Sequence, residues 1–227
     1  LLGHSPGNIM FDIYFYFELL ALIAALVKFK PLLNNGYTPF LPFLVFIVIY
    51  ETISFNDLYL INGSNIWMVN LVTTVEYLFY SLFIRSLLKS PFYKKAILVT
   101  IIISLFYNLT SLFFIHGLLN LNISAIIIQT IIIIIITGRY FWELMEVPFS
   151  SSLSIIKLPG FWLNTGVLFF YLGEFMFFAS YSYMAYKHNG DYLYLWRFIS
   201  NMANAVLYTC LTVSFLCLSP TRKLSQL

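Results

Sequence analysis

The segment MVNLVTTVEYLFYSLF, Met68 to Phe83, sets a carboxylate, Glu76, inside a run otherwise suited to hydrocarbon. Similar runs recur along the whole chain. Each holds roughly twenty residues, the length at which a helix rising 1.5 Å per residue crosses a ~30 Å hydrocarbon core. The 227 residues are 61% hydrophobic and 9% charged, whereas a soluble domain carries about 25% charged residues. Residues 1–227 therefore read as a single polytopic membrane domain with no soluble domain appended. The chain opens LLGHSPGN, without the basic n-region and cleavage site of a signal peptide, so its first apolar run reads as a span.

Seven helices are expected: Ile9–Val27, Phe40–Leu60, Ile66–Leu88, Ala96–Ile115, Ile123–Met145, Phe161–Ala185 and Tyr194–Leu218. The fifth contains IIIQTIIIIII, a β-branched run that in water would favour a strand. In lipid each backbone N–H and C=O needs an internal partner, so a lone segment of this kind is helical. The fold class is all-α, a seven-helix transmembrane bundle. Ten of the twelve basic residues (Lys28, Lys30, Arg85, Lys89, Lys94, Lys95, Arg139, Lys157, Arg222 and Lys223) fall on one side of this topology. Lys187 and Arg197 fall on the other. The positive-inside rule then puts the N-terminus out and the C-terminus in, across a bacterial inner membrane.

The polar residues are arranged in stripes. At about 100° per residue, Asn70, Thr73, Glu76, Tyr77, Tyr80 and Ser81 share one arc of span three, and Leu71, Val72, Val75, Leu78, Phe79 and Leu82 fill the opposite, lipid-facing arc. Arg197, Asn201, Asn204, Tyr208 and Thr212 line one face of span seven. Tyr50, Glu51, Ser54 and Asp57 share an arc of span two, and Tyr171, Glu174 and Tyr181 an arc of span six. In span six Gly166 and Gly173 mark a further face for close helix approach. Span one offers Asp12 and Glu18. Glu18, Glu51, Glu76 and Glu174 sit near the midplane, with Asp12, Asp57 and Arg197 nearer the outer surface. The expectation is a polar, carboxylate-rich interior opening outward. A charge at the bilayer centre costs at least ~2.5–3.5 kcal/mol on insertion scales, so each such acid needs a use or a partner. The structural alternative is a protonated Glu hydrogen-bonded to a Tyr hydroxyl or an Asn amide, serving only to fix a helix pair.

Other chemistry is weakly signalled. His4, His116 and His188 come from separate outer loops without zinc-ligand spacing, so no metal or other cofactor is expected. No P-loop, H-E-x-x-H, G-x-S-x-G or dinucleotide fingerprint occurs, and no lysine lies within span seven for a retinal Schiff base. No basic cluster with interleaved stacking residues points to nucleic acid. Arg139 and Glu143, at i and i+4, read as an interfacial pair near the inner end of span five. Trp67, Trp142, Trp162 and Trp196 fall at expected interfaces. Cys210 and Cys217, two turns apart, are too distant for a disulfide. The sequons at Asn62 and Asn122 fall in expected outer loops and are read as chance matches, and the one at Asn108 lies inside a span, where it cannot be modified.

Three segments together, NIWMVNLVTTVEYLFYSLFIRSLLK, FWLNTGVLFFYLGEFMFF and LWRFISNMANAVLYTCL, resemble uncharacterised seven-helix integral membrane proteins of Bacteroidota, some joined or adjacent to sensor histidine kinases. The resemblance rests on Glu76, the Phe161-Trp162 start of span six, and Asn201 with Asn204. It implies a seven-helix input module whose signal passes to a partner such as a histidine kinase. The preferred reading is a sensory or receptor-like membrane module, with Glu51, Glu76, Glu174, Arg197, Asn201 and Asn204 forming the site and no catalytic residue assigned. The alternatives are an intramembrane lipid-modifying enzyme using paired carboxylates, a proton-coupled transporter, or a structural subunit that oligomerises through its small-residue faces.

Overall fold

The computed structural model describes residues 13–56, 58–146, 155–186 and 191–219, with side chains for all of these but 181–186 and 191–197. Among the described residues the chain forms eight α-helices: α1 (Ile13–Val27), α2 (Phe29–Asn34), α3 (Phe40–Phe55), α4 (Ile66–Leu87), α5 (Pro91–Thr110), α6 (Ile123–Met145), α7 (Pro159–Tyr186) and α8 (Asp191–Leu216). A π-turn, Ser111–His116, prolongs α5. Five of the helices are long and apolar enough to cross a bilayer; α1 and α3 are apolar but shorter. This is the pattern of a polytopic helical membrane protein. Its lipid-facing character is clearest on α5, where Val99, Ile102, Ile103 and Phe106 are all exposed.

Local chemistry shifts the helix limits from those expected. Pro91 and Pro159 open α5 and α7 several residues or a half-turn early, because the fixed φ of proline suits a first helical position that lacks an N–H partner anyway. The second helix stops at Phe55 rather than Leu60. There the Asn56 side-chain amide donates to the Thr52 carbonyl at 2.7 Å. Beyond it, Asn62 and Gly63 both take positive φ (53° and 73°) in a tight turn, closed by reciprocal backbone bonds of 3.0 Å between Ile61 and Ser64. Both central residues at positive φ make this a type I′ geometry, which Asn-Gly favours. The short helix α2 was not expected. Its C-terminus is capped by Asn35, whose side-chain amide donates to the Pro31 carbonyl at 2.8 Å and to the Ser219 carbonyl at 3.0 Å.

Helix neighbours close a ring. Helix α1 lies between α3 and α8, α8 packs on α7, α7 on α6, and α6 on α4. Helices α3 and α4 complete the circuit through aromatic side chains: Phe43 stacks on Phe79 at 3.7 Å, and Phe40 meets Phe79 and Phe83 edge-on at 4.8 and 4.6 Å. The arc of α4 carrying Val72 and Phe79 is consequently covered by protein rather than left to lipid, since α3 supplies a second partner that a helical wheel cannot anticipate. Helix α5 packs outside the ring, on α4 and α6.

At one end of the bundle the connections lock together. The Lys89 N–H donates to Glu143 Oε2 at 2.7 Å, and Arg139 both pairs with Glu143 (3.4 Å) and lies over the Tyr93 ring at 3.9 Å. The Ser214 hydroxyl donates to the Pro159 carbonyl at 2.8 Å, and Asn35 reaches Ser219 as above. Lys28, Lys30, Arg85, Lys89, Lys94, Lys95, Arg139 and Lys157 thus gather at this end. Arg222, Lys223, Lys187 and Asp57 lie outside the described residues.

Helices α7 and α8 approach most closely at glycine. A Cβ on Gly166 would sit 2.7 Å from Cys210 Cβ and 3.1 Å from the Leu207 carbonyl oxygen, and one on Gly173 would sit 3.2 Å from Ala203 Cβ. Gly166→Ala is therefore predicted to lower stability by about 1–3 kcal/mol through overpacking. Gly138→Ala on α6, where nothing lies within 4 Å, is predicted to be neutral or stabilising by up to about 1 kcal/mol. Thermal unfolding of the detergent-solubilised variants measures both; equal losses at the two sites would contradict the packing.

Candidate functional site

The ring encloses acids from four different helices. Glu76 on α4 is the hub, with Glu174 of α7 and Glu51 of α3 both within electrostatic reach. Glu18 on α1 has Glu51 and Glu76 as its charged neighbours. Glu18, Glu51 and Glu76 stand nine, eleven and eleven residues from the helix ends at the basic side, roughly 14–17 Å along the axes. Glu174 stands fifteen residues from Pro159, about 22 Å, on the longest helix. The acids thus form one layer, extended from Glu18 and Glu51 through Glu76 to Glu174.

Their surroundings differ. Tyr14 donates to Glu51 Oε2 at 3.0 Å. Glu18 is 0% exposed and neither carboxyl oxygen has a hydrogen-bond partner. Glu76 and Glu174 are each partly exposed, whereas Glu18 is fully enclosed. Tyrosines surround the layer. Tyr80 lies within reach of Glu76, Glu18 and Glu174; Tyr171 of Glu76 and Glu174; and Tyr208, on α8, of Glu18, Glu76 and Glu51. The Tyr80 and Tyr171 rings meet edge-on at 6.1 Å. Among the described residues, Glu18, Glu76 and Glu174 make no ion pair; the ion pairs seen join Arg139 to Glu143 and Glu146.

The structure thus brings Glu51, Glu76 and Glu174 together and adds Glu18. Asn201 and Asn204 lie on the Tyr208 face of α8, both half-buried. Asn204 donates back to the Ser200 carbonyl at 3.0 Å, while Asn201 Oδ1 is buried without a partner. Neither is placed against an acid. The Arg197 side chain lies outside those described, as do Asp12, His4 and His188. Residues that sequence reasoning left out of the site are Glu18, Tyr80, Tyr171 and Tyr208. Their signal was available: each lies on a polar arc at the depth of the other acids.

Two other polar groups are structural. Asn70 belongs to a network at the end opposite the basic residues rather than to the Glu76 cluster. Its amide donates to the Asn120 carbonyl (2.9 Å) and its Oδ1 accepts from the Asn122 N–H (3.1 Å). Asn122 in turn donates to Asn108 Oδ1 (2.9 Å) and accepts from Ser111 (2.9 Å), and Asn108 donates to Thr74 (2.8 Å). Because these amides are almost fully paired, they pin the 117–122 connection to α4 and α5. Asn122 is buried with its side chain engaged, which leaves that sequon no access to a glycosylating enzyme. The Arg139–Glu143 pair lies at the helix end, as expected. No three His, Cys, Asp or Glu side chains among the described residues converge as a metal site.

In comparisons with known proteins, no family model, curated protein or solved structure matches this chain. Its function is therefore argued from the site alone.

Removing an unpartnered buried carboxyl relieves a cost, whereas removing one that satisfies several donors creates one. Glu18→Leu is accordingly predicted to leave the melting temperature unchanged or raised. Glu143→Ala, which strands the Lys89 N–H and Arg139, is predicted to destabilise by about 1–3 kcal/mol. A large loss in Glu18→Leu would show that this acid is a structural element.

Proposed function

We propose that the chain is a seven-span sensory or receptor-like module of a bacterial inner membrane, with its N-terminus outside and its C-terminus inside. Helices α1 and α3 complete the seven spans with α4 to α8. Helix α3, at 16 residues, is short for a ~30 Å core, a mismatch that local thinning of the bilayer accommodates. The gathering of basic residues at one end favours that end as cytoplasmic.

The observation that carries the reading is the acid layer itself. Stability does not explain Glu18, a carboxyl held at zero exposure with no hydrogen bond, next to two more carboxyls. Intramembrane acids kept at such cost mark sites where a proton or ligand acts. The layer is built from α1, α3, α4 and α7, so a change of charge within it alters the repulsion among four helices at once. Two of their connections, α1–α3 and α4–α5, lie at the basic end, and Glu143 of α6 grips the second of them. Motion in the layer is thereby passed to the surface where a cytoplasmic partner, such as a histidine kinase, would dock.

Topology is checked by reporter fusions: those joined after residues 35 and 89 are predicted to report the cytoplasm, and those after 62 and 118 the periplasm. Coupling is checked by hydrogen exchange in lipid nanodiscs. Glu76→Gln is predicted to preserve protection in the helices while changing it severalfold in the connections 28–39 and 88–90. Identical exchange in the variant and the native protein would mean that the acids do not communicate with that end.

A further inference from the structure

Helices α4 and α5 are both long and apolar enough to cross a bilayer, and only Leu88, Lys89 and Ser90 join them. This hairpin therefore turns at a membrane surface. Its segment RSLLKSPFYKK, Arg85 to Lys95, places four cations there, and from Tyr77 to Trp142 the sequence contains no Asp or Glu. The acid that reaches the connection is Glu143, already engaged by the Lys89 N–H at 2.7 Å and by Arg139 at 3.4 Å. Among the described residues the ion pairs are those of Arg139, so the side chains of Arg85, Lys89, Lys94 and Lys95 keep uncompensated charge.

One of these cations is held in place. Arg85 Nε donates to the Lys94 carbonyl at 2.7 Å, the one hydrogen bond of that side chain among the described residues. The bond ties the last turn of α4 to the start of α5 and sets the guanidinium beside the backbone of Lys94 and Lys95. Its Nη groups stay available as a fork, the shape that takes up two oxygens of one phosphate.

Lys95 gives the direction from which an anion arrives. Phe92, Lys95, Val99, Ile102 and Phe106 recur at spacings of three and four and are all exposed, so they form one stripe along the outside of α5. Lys95 stands four residues beyond Pro91, about 6 Å along the axis. Its methylenes can lie on the apolar stripe while the ammonium reaches back to the headgroup level. A lipid whose acyl chain follows Val99, Ile102 and Phe106 thus has its headgroup at Lys95 and Arg85.

We propose that the α4–α5 hairpin binds an anionic phospholipid, its phosphate between Arg85 and Lys95 and its acyl chain along the α5 stripe. Phosphatidylcholine also offers a phosphate, but its choline cation meets a stretch that carries four cations and no acid. The inference is independent of the receptor reading above.

The test places the full chain in nanodiscs of equal phosphatidylcholine and phosphatidylglycerol, and native mass spectrometry identifies the lipid that the released protein retains. Phosphatidylglycerol is expected to be retained in preference. Arg85→Gln is expected to lower its retention about fivefold, the contribution of one basic residue at an anionic surface. Arg85→Lys, which keeps the charge but not the fork, is expected to restore only part of the loss. Lys28→Gln combined with Lys30→Gln, which removes two cations elsewhere at the basic end, is expected to matter less. Should Arg85→Gln fail to fold, Lys95→Gln at an exposed position serves in its place with the same expected loss. Inorganic phosphate added to nanodiscs of phosphatidylcholine alone is expected to leave the melting temperature unchanged, whereas phosphatidylglycerol raises it. Equal retention of the two lipids, an equal loss in the Lys28 and Lys30 variant, or stabilisation by inorganic phosphate alone would overturn the proposal.

Discussion

A carboxyl group surrounded by hydrocarbon needs a proton, a counter-charge, or polar atoms to replace the water it has lost. Four such groups in one layer of a membrane bundle make that need the organising fact of the interior. The ring of helices, the aromatic wedge between α3 and α4, and the glycine-mediated contact of α7 with α8 together hold Glu18 and Glu51 near Glu76, and Glu76 near Glu174. Glu18 is the sharpest expression of it, since it has been moved fully out of solvent with neither oxygen paired. The Asn70–Asn122–Asn108 network, by contrast, is almost fully paired. The contrast between that network and the unpartnered Glu18 marks Glu18 as the least satisfied acid of the layer.

The two ends of the bundle have different tasks. At the end opposite the basic residues, amides and hydroxyls fasten the 117–122 connection to α4 and α5. At the basic end, single side chains link neighbouring connections: Glu143 to Lys89, Arg139 to Tyr93, Asn35 to Ser219 and Ser214 to Pro159. Each of these is a charge or amide contact, worth little alone and adjustable by small movements. The rigid elements are the apolar seams between helices.

The sequence carried the helical membrane character plainly, because apolar runs of spanning length leave the backbone no other conformation in lipid. It also carried the convergence of polar arcs, since Glu76 and Glu174 stand on arcs with Tyr80 and Tyr171 at matching depth. What it could not carry was which helix lies beside which. A wheel for α4 left Val72 and Phe79 to lipid, yet α3 brings Phe40 and Phe43 against that side. The same limit placed Asn70 with Glu76, although its partners arrive from a connection fifty residues away. Glu18 was visible as an intramembrane acid, but its weight depends on having no partner, which only the assembled bundle reveals. The early stop of the second helix turned on local side-chain chemistry at Asn56 and the Asn62-Gly63 turn, features that a count of apolar residues passes over.

The central claim is spatial: carboxyls from four helices share one interior layer. It is tested most directly by cross-linking in native-like membranes, with Cys210 and Cys217 replaced and new cysteine pairs introduced as Glu18→Cys with Glu76→Cys, and Glu76→Cys with Glu174→Cys. A short bifunctional thiol reagent should join both pairs efficiently, while a control pair on exposed faces, Leu20→Cys with Leu71→Cys, should stay unlinked. Failure of both interior pairs to react, with the control pair joined instead, would mean that the acids point away from one another and that no common layer exists.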